Sequence, residues 1–267
     1  MKIPATIGVL TYNSAEHLAR ALRSVSDFAE IIIADGGSTD STLEIAEEFG
    51  ARIIPQSNPG HPIRDFALER NRLLSAATQP WFFYLDSDEI ASPELVSFIR
   101  EVSSAAENPF SAYRVRYLKT NTDASKIYRT YKEYYQLRLT RTDVGARFER
   151  PVHERIIVPA DVVVGQVEAS WYVPLDSEDL SFRVFTKKAW KRTAVTANMW
   201  NPNGLFNVID AIFIGPLILI SKSFVKMIVV KIRFRGAAIP ARYELLRIVY
   251  ASFLSMQCIR RLIRGRA

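Results

Sequence analysis

The chain has 267 residues, 48% of them apolar and 24% charged, enough for one large domain or two small ones and too apolar for a disordered chain. Its single cysteine, Cys258, excludes an internal disulfide. The formal charge of +7 is an average of unlike halves: residues 1–180 hold 19 Lys+Arg against 26 Asp+Glu, whereas residues 181–267 hold 16 Lys+Arg against only Asp210 and Glu244. A basic tail on a mildly acidic front points to an anionic surface, either nucleic acid or lipid headgroups.

In chain order, "TIGVLT" (6–11) reads as a short buried strand that the N-terminus runs into directly, with an apolar part too short for a secretory leader. Asn13 with Glu16 predicts a capped helix whose inner face is Ala15, Leu18, Leu22 and Val25. "EIIIAD" (30–35) predicts a second buried strand, ended by "GGSTDST", and Ser41 with Glu44 predicts the cap of a second helix. "ARIIP" (51–55), "IRDFALERNRLLSAA" (63–77) and "WFFYL" (81–85) continue as strand, helix and strand. Ser92-Pro93-Glu94 then starts another helix. Strands alternating with helices predict a mostly parallel sheet covered on both faces, with ligands at the carboxyl ends of its strands.

After about residue 107 the pattern changes. "SAYRVRY" (111–117) and "YQLRLT" (135–140) alternate polar and apolar, and "GARFERPVHERIIV" (145–158) mixes loop and strand, so an antiparallel addition to the sheet is expected. From Asp179 a basic amphipathic helix is predicted, stopped by "NPNG", and followed by "LFNVIDAIFIGPLILISKSFVKMIVVKIRFRG" and a last basic helix. The uncharged run Ala211–Ser221 falls short of the roughly 20 residues that span a bilayer. The bland reading of Ile212–Ile220 is a buried core helix. No nucleic-acid reading module is apparent, so a nucleic-acid partner is not expected.

The chemistry concentrates in "LDSDE" (85–89), where a run of large apolar residues gives way to Asp86, Asp88 and Glu89. Two carboxylates on a strand-end turn can approach one Mg²⁺ or Mn²⁺, which favours hard oxygen ligands and bridges to substrate phosphates. In isolation such a triplet is more often a solvated helix cap. Here it follows "TYN" (11–13), "ADGGSTDST" (34–42) and "RN" (70–71) in order, and precedes "VHE" (152–154).

With this ordered set the chain resembles family 2 glycosyltransferases of the GT-A fold over residues 4–106, and among them the lipopolysaccharide-core β-1,4-glucosyltransferase-like branch. The resemblance implies a Rossmann-like, mostly parallel sheet with an antiparallel addition. It places a catalytic domain over 1–178, with a nucleotide-sugar half at 1–106 and an acceptor half at 107–178, and a basic helical, membrane-associating extension over 179–267. It implies metal-dependent inverting transfer of a hexose from a nucleotide-sugar, a UDP-sugar first, to a saccharide or lipid-linked acceptor in cell-envelope glycan synthesis. Thr11, Tyr12, Asn13, Asp35, Arg70, Asn71 and Asp86 are implied donor contacts, Tyr12 by stacking on the base. Gly36 and Gly37 allow close backbone approach. Asp88, Asp86 and His153 are implied metal contacts for Mn²⁺ or Mg²⁺, and Glu89 a supporting acid. Glu154 is implied as the general base, with Asp143 and Glu149 as alternatives. The tail implies peripheral attachment to an anionic membrane on its cytoplasmic face. Two rivals remain open: a polyprenyl-phosphate glycosyltransferase, and a non-catalytic sugar-binding protein of the same fold.

Overall fold

The computed structural model describes residues 1–61, 63–175, 181–200 and 204–264. The expected helix start at Asp179, the stop at Asn201–Asn203 and the last residues of the basic cluster lie outside that set. The described chain divides into two units, one of residues 1–118 and 133–174, the other of residues 119–132 and 175–267.

In the first unit the expected alternation is present: β1 (Ile3–Thr11), α1 (Ala15–Ser24), β2 (Phe28–Asp35), α2 (Thr42–Glu48), β3 (Arg52–Pro55), α3 (Phe66–Ala76), β4 (Trp81–Asp86), β5 (Ile90–Ala91) and α4 (Pro93–Ser104). The strands that follow are β6 (Ala112–Asn121), β7 (Ile127–Tyr128), β8 (Tyr134–Arg141), β9 (Arg147–Glu149), β10 (Arg155–Ile157) and β11 (Val164–Leu175). The sheet runs β3-β2-β1-β4-β8-β6-β11-β5, with β7 pairing β6, and β9 and β10 form a separate hairpin. β1 is parallel to both β2 and β4, and β2 to β3, while β8 is antiparallel to β4 and to β6. This is the mostly parallel sheet with an antiparallel addition that the alternation predicted. β11 was missed, although Val167, Ala169, Trp171 and Val173 alternate there with Gln166, Glu168, Ser170 and Tyr172.

The parallel strands read as apolar runs because helices cover both faces. Ile7, Phe83 and Leu85 belong to one buried cluster with Leu18, Leu22 and Leu95. Phe82, Tyr84 and Ile32 belong to the other, with Leu73 of α3 and Phe148 of β9. Each fully buried Phe or Leu contributes about 1.5–3 kcal/mol. Gly8 lets Phe82 lie across β1, since a Cβ there would sit 2.6 Å from the Phe82 ring.

The helix starts differ from expectation in who does the capping. Asn13 has φ of 49° and does not cap α1, and neither Ser14 nor Ser41 makes a side-chain cap. Asp40 serves both helices, accepting from Ala15 N at 3.1 Å and Thr42 N at 3.1 Å. Asp65 caps α3 through Leu68 N, and Ser92 caps α4 through Leu95 N as expected.

The second unit contains α5 (Phe182–Met199), α6 (Leu205–Ile209), a π-helical segment (Asp210–Ile214), α7 (Gly215–Arg233) and α8 (Ala241–Arg264). Residues 119–132, assigned above to the catalytic half, belong here. Arg129 donates its N–H to Ala237 O at 2.7 Å, and Tyr128 packs in a cluster with Leu175, Val230 and Ile239. Pro216 removes one helical donor, and the wider turn before it, closed by Gly215 N–H to Asp210 O, lets the helix continue. Leu205–Arg233 is therefore one continuous helix of 29 residues, long and apolar enough by length and composition to cross a membrane. The uncharged run underestimated it, because sparse lysines tolerate apolar surroundings by extending their stems. The core-helix reading of Ile212–Ile220 is corrected as well: Phe213 is 66% exposed and Leu217 65%.

Candidate functional site

The parallel strands end together at one edge, where Thr11, Asp35 and Asp86 lie at the tips of β1, β2 and β4. Thr11 is buried and donates its hydroxyl to Asp35 Oδ1 at 2.8 Å. Ser38 Oγ donates to the same oxygen at 2.6 Å, and the Gly37 and Ser38 amides donate to Oδ2 at 2.7 and 2.8 Å. Burial alone would raise the Asp35 carboxyl, but the Ser38, Thr11 and Gly37 donors outweigh it and hold the carboxyl below its usual range. Both oxygens are thereby engaged within the protein. Asn13 Oδ1 accepts from Thr39 N at 2.8 Å, fixing the loop after β2. Tyr12 is 52% exposed and lies over Gly36, where a Cβ would sit 3.1 Å from its ring. Gln56, which sequence reading missed, is buried beneath this edge and donates to Thr11 O and Ala34 O at 3.1 and 3.0 Å.

A different arrangement surrounds Asp86. Arg70, on α3 and only 3% exposed, donates through Nη2 to Asp86 Oδ1 and through Nε to Glu154 Oε1 at 3.1 Å. Its Nη1 is buried with no hydrogen-bond partner. Burial would raise the Asp86 carboxyl, but Arg70 first and Arg138 second hold it below the ordinary carboxylate range. The Asp86 side chain is 44% exposed, so the pair is open on one side. Asp88 is exposed, and its backbone carbonyl accepts from Arg20 Nη2 at 3.3 Å.

Glu89 is buried behind Asp86. It accepts from Asp86 N at 3.1 Å, from Trp171 Nε1 at 3.0 Å and from Arg138 Nη1 and Nη2 at 2.8 and 3.2 Å. Burial pushes its carboxyl up, against the pull of Arg138. The Arg138 guanidinium lies 4.2 Å from the ring centroids of both Tyr84 and Trp171, and that of Arg70 lies 4.6 Å from Tyr84. Neither Arg138 nor Trp171 belongs to a sequence motif. The sheet pairing shifts register between Tyr113 and Arg114, opposite the stretch of β8 that holds Arg138, and Trp171 is on the strand that was missed.

The β9–β10 hairpin delivers Glu154. Asn71 exchanges two hydrogen bonds with the Phe148 backbone, at 2.9 and 2.8 Å, and so ties α3 to β9. Both ends of the Asn71 amide are used in this way. Asp143 and Glu149, the alternative bases, pair locally with Arg141 and Arg147 on the surface. Glu154 is the one of the three that Arg70 joins to Asp86. His153 precedes it, exposed, with φ of 56°.

Asp86 and Asp88 stand two positions apart where β4 ends, and their carboxylates are of the hard oxygen type that Mg²⁺ or Mn²⁺ favours. Among the described residues no group of three or more His, Cys, Asp or Glu side chains is placed to hold a metal. Mg²⁺ is commonly held by only one or two carboxylates together with substrate phosphates.

With this geometry established, comparison with known proteins gives the class. The profile described as "Glycosyl transferase family 2" matches residues 6–157, and the chain belongs to that family. A TPR repeat-containing protein of Synechococcus elongatus is 32% identical over 166 residues, covering 62% of this chain and 38% of that protein. The lipopolysaccharide core biosynthesis glycosyltransferase LpsC of Rhizobium meliloti is 27% identical over 163 residues, covering 60% of each. The match thus spans less than two thirds of either relative. Among solved structures, S. aureus TarS 1–349 in complex with UDP is 15% identical, covering all of this chain and 92% of that one, with a TM-score of 0.48. The family match places the chain among glycosyltransferases.

Proposed function

We propose that the chain transfers a hexose from a nucleotide-sugar, a UDP-sugar first among them, to a saccharide or lipid-linked acceptor with inversion at the anomeric carbon. The observation that carries this is the bridge of Arg70 between Asp86 and Glu154. One guanidinium joins the acid at the donor edge to the acid on the acceptor side. An inverting displacement needs those two functions next to each other.

In this reading the exposed Tyr12 ring stacks on the base. Thr11, Asn13, Asp35 and Asn71 act mainly by shaping the pocket, since Thr11 and Ser38 donate to Asp35, Thr39 donates to Asn13 and Asn71 is tied to the Phe148 backbone. The buried, unpartnered Nη1 of Arg70 is free for a diphosphate oxygen. Glu154 takes the proton of the attacking acceptor hydroxyl as the new C–O bond forms. The old bond to the diphosphate breaks with its electron pair on the leaving oxygen, so no covalent enzyme intermediate is formed. Asp86 and Asp88 would hold a divalent cation, with His153 as an added contact; when bound, Mn²⁺ or Mg²⁺ supplies charge neutralisation for the diphosphate.

The exposed helix Leu205–Arg233, with Lys222, Lys226 and Lys231 among its apolar residues, supports attachment to an anionic membrane, on the cytoplasmic face where nucleotide-sugars are made. It also favours a lipid-linked acceptor, including the polyprenyl-phosphate alternative. The name of LpsC supports a place in envelope glycan synthesis.

Calorimetric titration of UDP, GDP, ADP and dTDP, with and without Mn²⁺, tests the donor site. One nucleotide is expected to bind wild type only when Mn²⁺ is present, and Asp88→Ala is expected to lose that binding even with Mn²⁺. Glu154→Gln is expected to lower transfer by about 10²–10⁴-fold while nucleotide affinity stays put. No binding of any nucleotide would defeat the proposal.

A further inference from the structure

A cavity of about 390 Å³ opens beside Glu154 within the first unit, a size suited to a small ligand. Aliphatic side chains, Ile156 and Val164 among them, line it together with Tyr135, Arg114 and Arg155. Its charges do not balance. Glu154 is the single carboxylate among the lining residues, and Arg70 already engages it. Arg114 and Arg155 are exposed, and neither side chain is in an ion pair among the described residues.

An unpaired surface arginine is ordinary. Two lining one cavity with no free counter-charge are less so, and Arg116 makes the contrast. Two residues along the same strand from Arg114, its Nη1 lies 2.9 Å from Glu168 and 3.3 Å from Glu133, and its Nε donates to Ser170 Oγ at 3.0 Å. The Tyr135 hydroxyl, 2.6 Å from Glu168, completes that cluster. Strand β6 therefore has its Arg116 neutralised beside the cavity, whereas Arg114 on that strand and Arg155 on the β9–β10 hairpin line the cavity without ion-pair partners among the described residues.

We propose that this cavity is the acceptor subsite and that it takes a saccharide bearing an anionic group, a phosphate or a carboxylate. Arg114 and Arg155 hold the anion, the aliphatic wall takes the C–H face of the ring, and the reacting hydroxyl is presented to Glu154. Forked guanidinium donors suit both anions. The inference rests on the glycosyltransferase reading above, and goes beyond it by naming the acceptor's chemistry.

The test is calorimetry on the full UDP-loaded chain with glucose 6-phosphate, glucuronate, glucose, inorganic phosphate and dodecyl phosphate micelles as probes. At least one anionic hexose is expected to bind at least ten-fold more tightly than glucose or inorganic phosphate. Arg114→Gln and Arg155→Gln are each expected to weaken that binding roughly ten-fold, as loss of a charge-assisted hydrogen bond does, with UDP affinity unchanged. Glucose binding as tightly as the anionic hexoses, inorganic phosphate matching them, or arginine variants indistinguishable from wild type would each overturn the assignment. Tighter binding of dodecyl phosphate would give the anion to a lipid and overturn the saccharide part. A chain that binds UDP but no hexose defeats this inference alone; one that binds no nucleotide defeats the function it rests on.

Discussion

Asp35 and Asp86 end two strands that flank β1 on either side, both parallel to it, one level with Thr11 and the other with Leu10. They share a residue type and a place in the fold, yet their surroundings differ. Asp35 is 5% exposed and saturated by neutral donors, two hydroxyls and two amides. Asp86 has its side chain 44% exposed and is held by one buried arginine that it shares with Glu154. A carboxylate locked by backbone amides is part of the scaffold. One held by a side chain, with an open face, can exchange its partner for a ligand. The strand-end rule locates both acids; the donors around each decide which is a clamp and which is available.

That contrast can be broken most severely behind Asp86. Arg138→Met leaves Glu89 buried with only Trp171 and the Asp86 amide. A loss of about 3–5 kcal/mol in urea unfolding is expected, the range for stranding a buried charge. A loss below 1 kcal/mol would mean that Glu89 takes up a proton and needs no arginine.

At the other strand end Asp35→Asn is expected to cost about 1–3 kcal/mol at pH 7 by leaving loop donors badly matched. Its pH dependence sharpens the point. The Asp35 carboxyl titrates below its unfolded value of 3.8, so its stabilisation is complete above roughly pH 5 and is lost as pH falls through the lower folded value. Urea midpoints of wild type should therefore fall more steeply between pH 5 and 3 than those of Asp35→Asn. Parallel curves would remove Asp35 as a clamp.

The smallest stability change belongs to Tyr12, which packs on little. Tyr12→Ala is expected to alter unfolding by less than about 0.5 kcal/mol, as at other exposed sites. Uridine nucleotide affinity is expected to fall roughly ten-fold, the scale of one lost stacking contact. Unchanged affinity would take the base away from this edge.

The sequence by itself determined the alternating strands and helices, because buried parallel strands are written as apolar runs and the helices between them as apolar residues at helical spacing. It also determined where the acids stand, since strand ends follow from the same periodicity. It did not determine which polar groups are spoken for. Asn71 looked like a donor contact and is spent on the Phe148 backbone. Arg138 looked like one polar residue in an alternating strand and is the buried counter-ion of Glu89. Each of these pairings joins residues 49 or more positions apart, Arg138 with Glu89 and Asn71 with Phe148 among them. Long-range pairing leaves no local pattern in a single chain. The same holds for the length of the apolar helix, where a π-helical turn before Pro216 carried the segment past the point at which a proline reads as a break. Only the tertiary structure decided that Glu154, rather than Asp143 or Glu149, is joined to Asp86, because only folding brings the hairpin that bears it onto α3.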